Sequence, residues 1–598
     1  LMQSIAQSDL VSFPALPPDG MYRIDLQYAS PATISRCGMV WVDPKNLGYT
    51  PYYEKWVRTR YGNAVKIEED KESQAEMFMN LYNKYVPPCI DMILSGVVDG
   101  ELGEKLKQVI PITNIDLVKQ LCSCIDSFIP LDIDTANDIE MLYIYSCVWS
   151  LGAALIGDAR IKFDNFIKKV SRESLPNGLL YDYYWSLESH KWESWQSIVP
   201  EYQEPSPFRF YDVMVPTQDS VLYSSHLKNL APTRPMLFVG ESGTAKTTII
   251  MKYLSDKPTS GFSRLFMNFS SRTSSGDVQT NVEANVDKRS GAVYGPPSGK
   301  KLLVFIDDLN MPKVDTYGTQ QPIALLHYLM VQGKVYDREK LDLKTMKDLQ
   351  YIGAMGPPGG GRNPVDTRFI ALFNVFNLTS PTQTVLIAIY NSIINTRFKE
   401  FLPPVKTAVS KITGAILNLF GFILEKMPPT PSKFHYIFNL RDLSRVYEGL
   451  CNSTTDIVTS ESLIVRMFRN ECDRIFCDRL TTELDQQLYL KELSSILKQT
   501  FPSSSSDAMI DPCLFGDFKD AVDRVTSGGT SEDIPLYNDM GNYEDVRNIF
   551  DAVLEQYNTE NKAMSLVLFE QALDHLCRIH RIIRNERGNA LLVGVGGS

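Results

Sequence analysis

The sequence predicts an α/β protein of tandem modules, each a parallel sheet with a phosphate-binding loop (P-loop) followed by a small helical subdomain. Three observations predict it. Pro235–Val239 (PMLFV), a short apolar run, leads into Gly240-Glu241-Ser242-Gly243-Thr244-Ala245-Lys246-Thr247, and TTIIMKYL from Thr247 continues as a helix. Leu302–Ile306 (LLVFI), a second apolar run, ends in Asp307-Asp308. At the end, strand-like Asn589–Val593 (NALLV) runs into Gly594-Val595-Gly596-Gly597-Ser598, the first part of another such loop.

The first loop follows the pattern G-x-x-x-x-G-K-[ST] with Ala245 in place of the second glycine. A loop between a strand and a helix N-terminus presents backbone N–H groups and a positive dipole end to an anion. Lys246 is placed to reach the β- and γ-phosphates, and the Thr247 hydroxyl to bind Mg²⁺. A Gly/Ser turn that happens to precede Lys-Thr is the plainer alternative. Asp307-Asp308 argues against it, because a central parallel strand delivers carboxylates to the edge where α/β sheets bind ligands. Asp307 is the candidate second Mg²⁺ group. Asp308 stands where a base that orients water is usually Glu, and its side chain is one methylene shorter. After the strand Leu265–Met267, Ser270, Ser271 and Arg272 either face the nucleotide or cap the helix that begins near Ser275.

Composition narrows the class. A chain of 598 residues predicts roughly three to five domains. With 44% hydrophobic and 22% charged residues it reads as packed globular protein. A net charge of -11 with no long Lys/Arg run argues against a nucleic-acid partner. Ten cysteines and six histidines show no zinc-ligand spacing, so free thiols are expected. The longest apolar stretch, Ile412–Leu424, is too short to span a bilayer and predicts a buried helix with no membrane partner. The chain opens in mid-pattern and closes in mid-motif, the expectation for a segment of something longer.

The organisation read along the chain is α/β end (1–57), helical (58–204), α/β (205–404), helical (405–580), and the start of a further module (581–598). Lys71–Lys84, Asp116–Phe128 and Asp138–Ile156 carry apolar positions at helical spacing. Ser503–Asp507 and Ser527–Asp533 read as polar loops. Neither a base-reading Asn-Lys-x-Asp loop nor a Leu-Ser-Gly-Gly-Gln signature is present, which sets aside GTPases and ABC-type ATPases. The α/β unit followed by helices instead matches the AAA+ arrangement of a P-loop parallel α/β sheet subdomain plus a small helical lid subdomain.

Four motifs carry a closer resemblance. The Gly240–Thr247 loop, Asn268-Phe269-Ser270-Ser271-Arg272-Thr273, Val304-Phe305-Ile306-Asp307-Asp308-Leu309-Asn310-Met311-Pro312 and Tyr317-Gly318-Thr319-Gln320-Gln321-Pro322 resemble the third AAA+ module of dynein heavy chains in their axonemal form. Ala29–Val40 (ASPATISRCGMV) is similar to the end of the second module, and Gly594–Ser598 to the opening of the fourth. The resemblance implies a piece of a six-module motor ring in the axoneme of a cilium or flagellum. It implies ATP or ADP with Mg²⁺ as cofactors. As partners it implies the other modules of the same chain, dynein intermediate and light chains, and microtubules through regions outside this chain; no stalk-like heptads are present here.

The resemblance also assigns roles. Arg36 matches the second module's arginine finger and Arg368 the third module's, each toward a neighbouring module's nucleotide; losing such a finger costs about 10³ or more in rate. Arg441 matches sensor 2, with Arg445 a turn later and Asp442 close by for pairing. An ordinary ion-paired helix start is the plainer reading of that cluster. Gly356, after the strand Tyr351–Met355, stands where sensor 1 is usually Asn, Thr or Ser. Ala245, Asp308 and Gly356 together weaken the site for hydrolysis, whereas Lys246, Thr247 and Asp307 keep its binding groups. The expectation is a site that holds nucleotide tightly and turns it over slowly or not at all.

Overall fold

The computed structural model describes residues 48–61, 74–98, 100–133, 135–316, 318–519, 536–585 and 588–592. Arg36 and its Ala29–Val40 motif, the Ser527–Asp533 loop and the tail Gly594–Ser598 lie outside the described residues. The chain forms two compact units, one of Leu1–Ile198 with Gln218–Thr379 and one of Val199–Thr217 with Ser380–Ser598.

The first unit opens with helices α1 (Thr50–Tyr61), α2 (Gln74–Ile90), α3 (Asn114–Phe128), α4 (Ala136–Ser150) and α5 (Gly157–Ser171). Thr113 caps α3, its hydroxyl accepting from Asp116 N–H. The hairpin strands Tyr183–Ser186 and Lys191–Ser194 close this helical part. Five strands follow: β1 (Met236–Val239), β2 (Phe262–Asn268), β3 (Lys301–Asp307), β4 (Leu349–Met355) and β5 (Asn374–Asn377). They pair in the order β5-β1-β4-β3-β2, all parallel. Helices α6 (Gln218–Leu230), α7 (Lys246–Asp256), α8 (Ser275–Glu283) and α9 (Gln321–Gln332) alternate with these strands. Because both faces are covered, the central strands are unbroken apolar runs rather than alternating ones: Met236–Val239 and Leu302–Ile306 are wholly buried. The α/β class is as the sequence predicts.

An edge strand must not leave its outer N–H and C=O groups bare. Here β5 is sealed by the preceding helical part. The buried Gln120 side chain of α3 accepts from Val375 N–H (2.9 Å) and donates to Val375 C=O (3.1 Å), standing in for a sixth strand. Asn377 N–H donates to Ala153 C=O (2.9 Å), and Asn377 Nδ2 donates to Leu155 C=O (2.8 Å). Arg160 Nη2 and Tyr223 Oη both donate to Asn377 C=O. Asn374 Nδ2 donates to Ser123 Oγ (2.9 Å).

His226 of α6 is fully buried in this region. Its ring lies 4.5 Å from that of Trp149 and within 6.1 Å of Phe128, Tyr145 and Phe376. Neither ring nitrogen has a hydrogen-bond partner among the described residues. Burial pushes its pKa down from 6.5 to about 3.

The second unit is helical: α10 (Gln383–Arg397), α11 (Pro403–Lys426), α12 (Leu440–Cys451), α13 (Glu461–Ile475), α14 (Glu483–Thr500), α15 (Tyr543–Glu560) and α16 (Glu570–Arg584). The Ile412–Leu424 run lies within α11, a helix long and apolar enough to cross a membrane. Its Val405, Ile412, Ile416, Leu419 and Ile423 face a core shared with α12, α13 and α14. Phe208, Phe210, Val213 and Val215 pack on that core, which is why Val199–Thr217 belongs to this unit. Glu471 of α13, fully buried, accepts from Arg581 Nε of α16 (3.0 Å) and from Tyr537 Oη (2.8 Å), so its charge is paired. The Ser503–Asp507 loop contains a short helix, Ser505–Ala508. Asn589–Leu592, expected as a strand, is irregular; a strand needs a neighbour to pair with, and the described residues supply none.

Two outcomes follow from these contacts. Gln120→Leu keeps the side-chain volume but strands the Val375 N–H and C=O. At about 1–3 kcal/mol for each unsatisfied buried group, the urea midpoint falls by the equivalent of about 2–5 kcal/mol. Below pH 6.5 the unfolded chain protonates His226 while the native chain does not, so stability falls as pH drops toward 3. His226→Phe removes this contribution, up to about 1.4 kcal/mol per pH unit, and flattens the pH dependence of thermal unfolding between pH 6.5 and 5.

Candidate functional site

The loop Gly240–Lys246 joins the carboxyl end of β1 to the start of α7. Gly240 N–H donates to Met355 C=O (3.2 Å), tying the loop to β4. A Cβ at Gly240 would stand 2.5 Å from Leu378 C=O, so only glycine fits there. Thr244 Oγ donates to Glu241 C=O (3.0 Å) and is buried; Glu241 is exposed, and Ser242 and Gly243 are half-buried. The chain turns into α7 through two left-handed residues, Gly243 (φ 91) and Ala245 (φ 59). The backbone there has the conformation that glycine tolerates best, and Ala245 adopts it at a cost of about 1–2 kcal/mol.

That turn sets the next two side chains. Lys246 Nζ donates to Gly240 C=O (2.8 Å), Glu241 C=O (2.7 Å) and Thr244 Oγ (3.2 Å), so its ammonium lies across the mouth of the loop. Thr247 Oγ donates to Asp307 Oδ2 at 2.6 Å. The other Asp307 oxygen accepts from Asp308 N–H (2.9 Å). Register places Asn268 of β2 beside Asp307. The structure thus brings loop hydroxyl, ammonium and carboxylate together at the carboxyl edge of the sheet, from two separate stretches of sequence. This donor set fits Mg²⁺ with a polyphosphate: a hydroxyl and a carboxylate oxygen in direct contact suit a hard cation, and one ammonium with the N-terminus of an 11-residue helix suits an anion.

Asp308 is left-handed (φ 51), and its C=O accepts from Met311 N–H (3.0 Å). Its half-buried carboxylate is therefore carried on a strained turn directly after β3. Gly356 follows β4 at the same edge, and its C=O accepts from the buried Asn310 Nδ2 (2.8 Å). Sequence reasoning missed Arg362. Three consecutive left-handed glycines, Gly359, Gly360 and Gly361, fold the chain back so that the Arg362 guanidinium fills the side-chain space beside Gly356. The Gly-Gly-Gly-Arg run right after a strand was the available signal.

None of Ser270, Ser271 and Arg272 caps α8. Ser274 plays that part, with Asp277 completing a reciprocal capping box. Arg368 stands on a four-residue helix, Thr367–Ile370, that leads into the amino end of β5, away from the edge that carries the loop. Arg441 belongs to the second unit, is exposed, and sits in the first turn of α12 with its N–H bonded to Asn439 Oδ1 (2.8 Å). The pairing expected between Arg445 and Asp442 is a loose 4.0 Å contact. Asp442 is instead gripped at both oxygens by Arg479 (2.6 and 3.1 Å), a bidentate pair that the helical spacing could not reveal.

Ala245→Gly relieves the left-handed strain but gives the unfolded chain more freedom, so the two effects partly cancel. The expected result is a gain of up to about 1 kcal/mol in urea unfolding, with Ala245→Val, β-branched at the same φ, losing stability.

Comparison with known proteins agrees with this geometry. Residues 202–381 match the family described as P-loop containing dynein motor region, 78–197 the dynein heavy chain AAA lid domain, 412–512 the AAA+ lid domain, and 564–598 the P-loop containing dynein motor region D4. The chain is 45% identical over 593 residues to dynein axonemal heavy chain 10 of Homo sapiens. It is 44% identical over 600 residues to the dynein-1-alpha heavy chain, flagellar inner arm I1 complex, of Chlamydomonas reinhardtii, and 33% identical over 589 residues to dynein axonemal heavy chain 2 of Mus musculus. Each alignment takes in 96% of this chain but only 12–13% of the relative. The chain therefore belongs to the dynein heavy chain family, as a stretch of the AAA+ motor region of its axonemal branch.

Proposed function

We propose that this segment is the end of the second AAA+ module, the whole third module and the start of the fourth, and that the third-module site binds Mg-ATP or Mg-ADP mainly to regulate the ring. The observation that carries the reading is the assembly of Lys246, Thr247 and Asp307 at one sheet edge, with Thr247 Oγ and Asp307 Oδ2 2.6 Å apart. Bound there, a nucleotide offers the polyphosphate and Mg²⁺ that this donor set recognises. Lys246 neutralises phosphate charge, the loop N–H groups orient it, and Thr247 and Asp307 hold the cation.

Slow or absent hydrolysis follows from the groups that would place an attacking water. Asp308 is short by one methylene on a left-handed turn, and Gly356 has no side chain. Arg368 faces the proposed role of finger for the second module's nucleotide, Arg36 that of finger for the first, and Arg441 that of sensor 2. In the parent protein the segment would support ATP-driven, minus-end-directed motility on microtubules and ciliary beating, in company with the other ring modules and with intermediate and light chains. The relatives are axonemal and flagellar heavy chains, and the place of this chain is the cytoskeleton of a cilium or flagellum axoneme.

Equilibrium binding of fluorescent ATP and ADP to the chain tests the reading. The expected result is Mg²⁺-dependent binding of both, lost on Lys246→Ala while thermal unfolding stays unchanged. No measurable binding by the unsubstituted chain would leave a scaffold with a vestigial loop. Steady phosphate release that stops on Lys246→Ala would mark an autonomous ATPase instead.

A further inference from the structure

The side-chain space at Gly356 is taken by a residue six positions later. Register sets Met355 of β4 beside Val239 of β1, so Gly356 lies next to Gly240, the first residue of the phosphate loop. On the other side β4 pairs with β3, the strand that ends in Asp307. Gly356 therefore stands at the carboxyl edge, between the loop and the strand that ends in that carboxylate. A Cβ built there would overlap the Arg362 guanidinium, with Nε only 2.8 Å away.

The loop that delivers Arg362 is built to hold it. Arg362 and Gly359 exchange both backbone hydrogen bonds (3.1 Å each), closing a tight hairpin through Gly359–Gly361. Asn363 N–H donates to Asn310 C=O (3.1 Å) and Asn363 Nδ2 to Pro312 C=O (2.9 Å), pinning the hairpin to the chain that follows Asp308. Asn310 completes the clamp through Gly356 C=O.

Arg362 is half-buried, yet no carboxylate and no hydrogen bond holds its guanidinium among the described residues. A partly desolvated cation without a counter-charge is unfavourable unless an anion completes it. The guanidinium fork matches a terminal phosphate, which offers two or three oxygens in one plane face.

We propose that Arg362 is a specificity-determining residue of the nucleotide site, reading the terminal phosphate of a nucleoside triphosphate from the position that Gly356 leaves empty. The inference rests on the reading that Gly240–Thr247 holds a nucleotide. It makes the glycine a requirement: a side chain at position 356 and the Arg362 guanidinium exclude each other.

The test is equilibrium binding of a non-hydrolysable ATP analogue and of ADP, with Mg²⁺, to the full chain and two variants. Arg362→Gln is expected to weaken the ATP analogue by about 10- to 100-fold while changing ADP by less than about twofold. Gly356→Ala, which displaces the guanidinium without removing it, is expected to lose the same preference. Thermal unfolding of each variant reports whether the fold is kept. Equal weakening of ATP analogue and ADP, or no change in either, overturns the assignment while leaving nucleotide binding in place. Failure of the unsubstituted chain to bind either nucleotide overturns both readings.

Discussion

The edge of the five-stranded sheet is the constraint from which the rest follows. A four-residue strand with both faces covered cannot leave Val375 and Asn377 with open hydrogen-bonding groups, and from its own α/β part Tyr223 Oη reaches Asn377 C=O (2.9 Å). Gln120, Ala153, Leu155 and Arg160, from the helical stretch ahead of the sheet, close it. The helical stretch ahead of the sheet is in this way a structural component of the α/β part. The seal also reaches the site. Leu378, directly after β5, donates its N–H to Val239 C=O (2.7 Å), and its own C=O presses on Gly240 at the root of the phosphate loop. The helices that seal β5 are thus linked through Leu378 to Gly240.

The site stores backbone strain at two residues. Ala245 and Asp308, both left-handed, bracket the Thr247–Asp307 contact and hold it in place. The same turns fix the Asp308 main chain, tying its N–H to Asp307 Oδ1. What the site assembles is recognition of charge: an ammonium, a hydroxyl, a carboxylate and a helix N-terminus converge. On the proposed reading, such a site holds a nucleotide in preference to cleaving it.

Much of this was legible in the sequence because the signals were local. PMLFV and LLVFI are long enough and apolar enough to mark buried parallel strands, and the loop pattern places Lys246 and Thr247 by spacing alone. Strand order was not legible, since it depends on which apolar runs pair. Gln120 gave no sign of its place against β5, because a glutamine in mid-helix reads as an exposed residue. The stronger Asp442 partner was hidden for a similar reason: helical spacing offers Arg445, which makes a 4.0 Å contact, but Arg479, far along the chain, adds a two-pronged grip. Arg362 escaped notice because its role comes from a hairpin of left-handed glycines, and backbone handedness is only suggested by composition. The irregular Asn589–Leu592 shows the reverse error, an apolar pattern without a partner strand.

The central claim is that the Gly240–Thr247 site retains nucleotide more readily than it hydrolyses it. A single-turnover chase measures this directly: labelled Mg-ATP is bound to the chain, excess unlabelled ATP is added, and the label is recovered as ATP or as ADP. The label is expected to leave as intact ATP, because release outruns cleavage at a site with Asp308 and Gly356 in the proposed water-placing positions. Recovery mainly as ADP, abolished by Lys246→Ala, would contradict it.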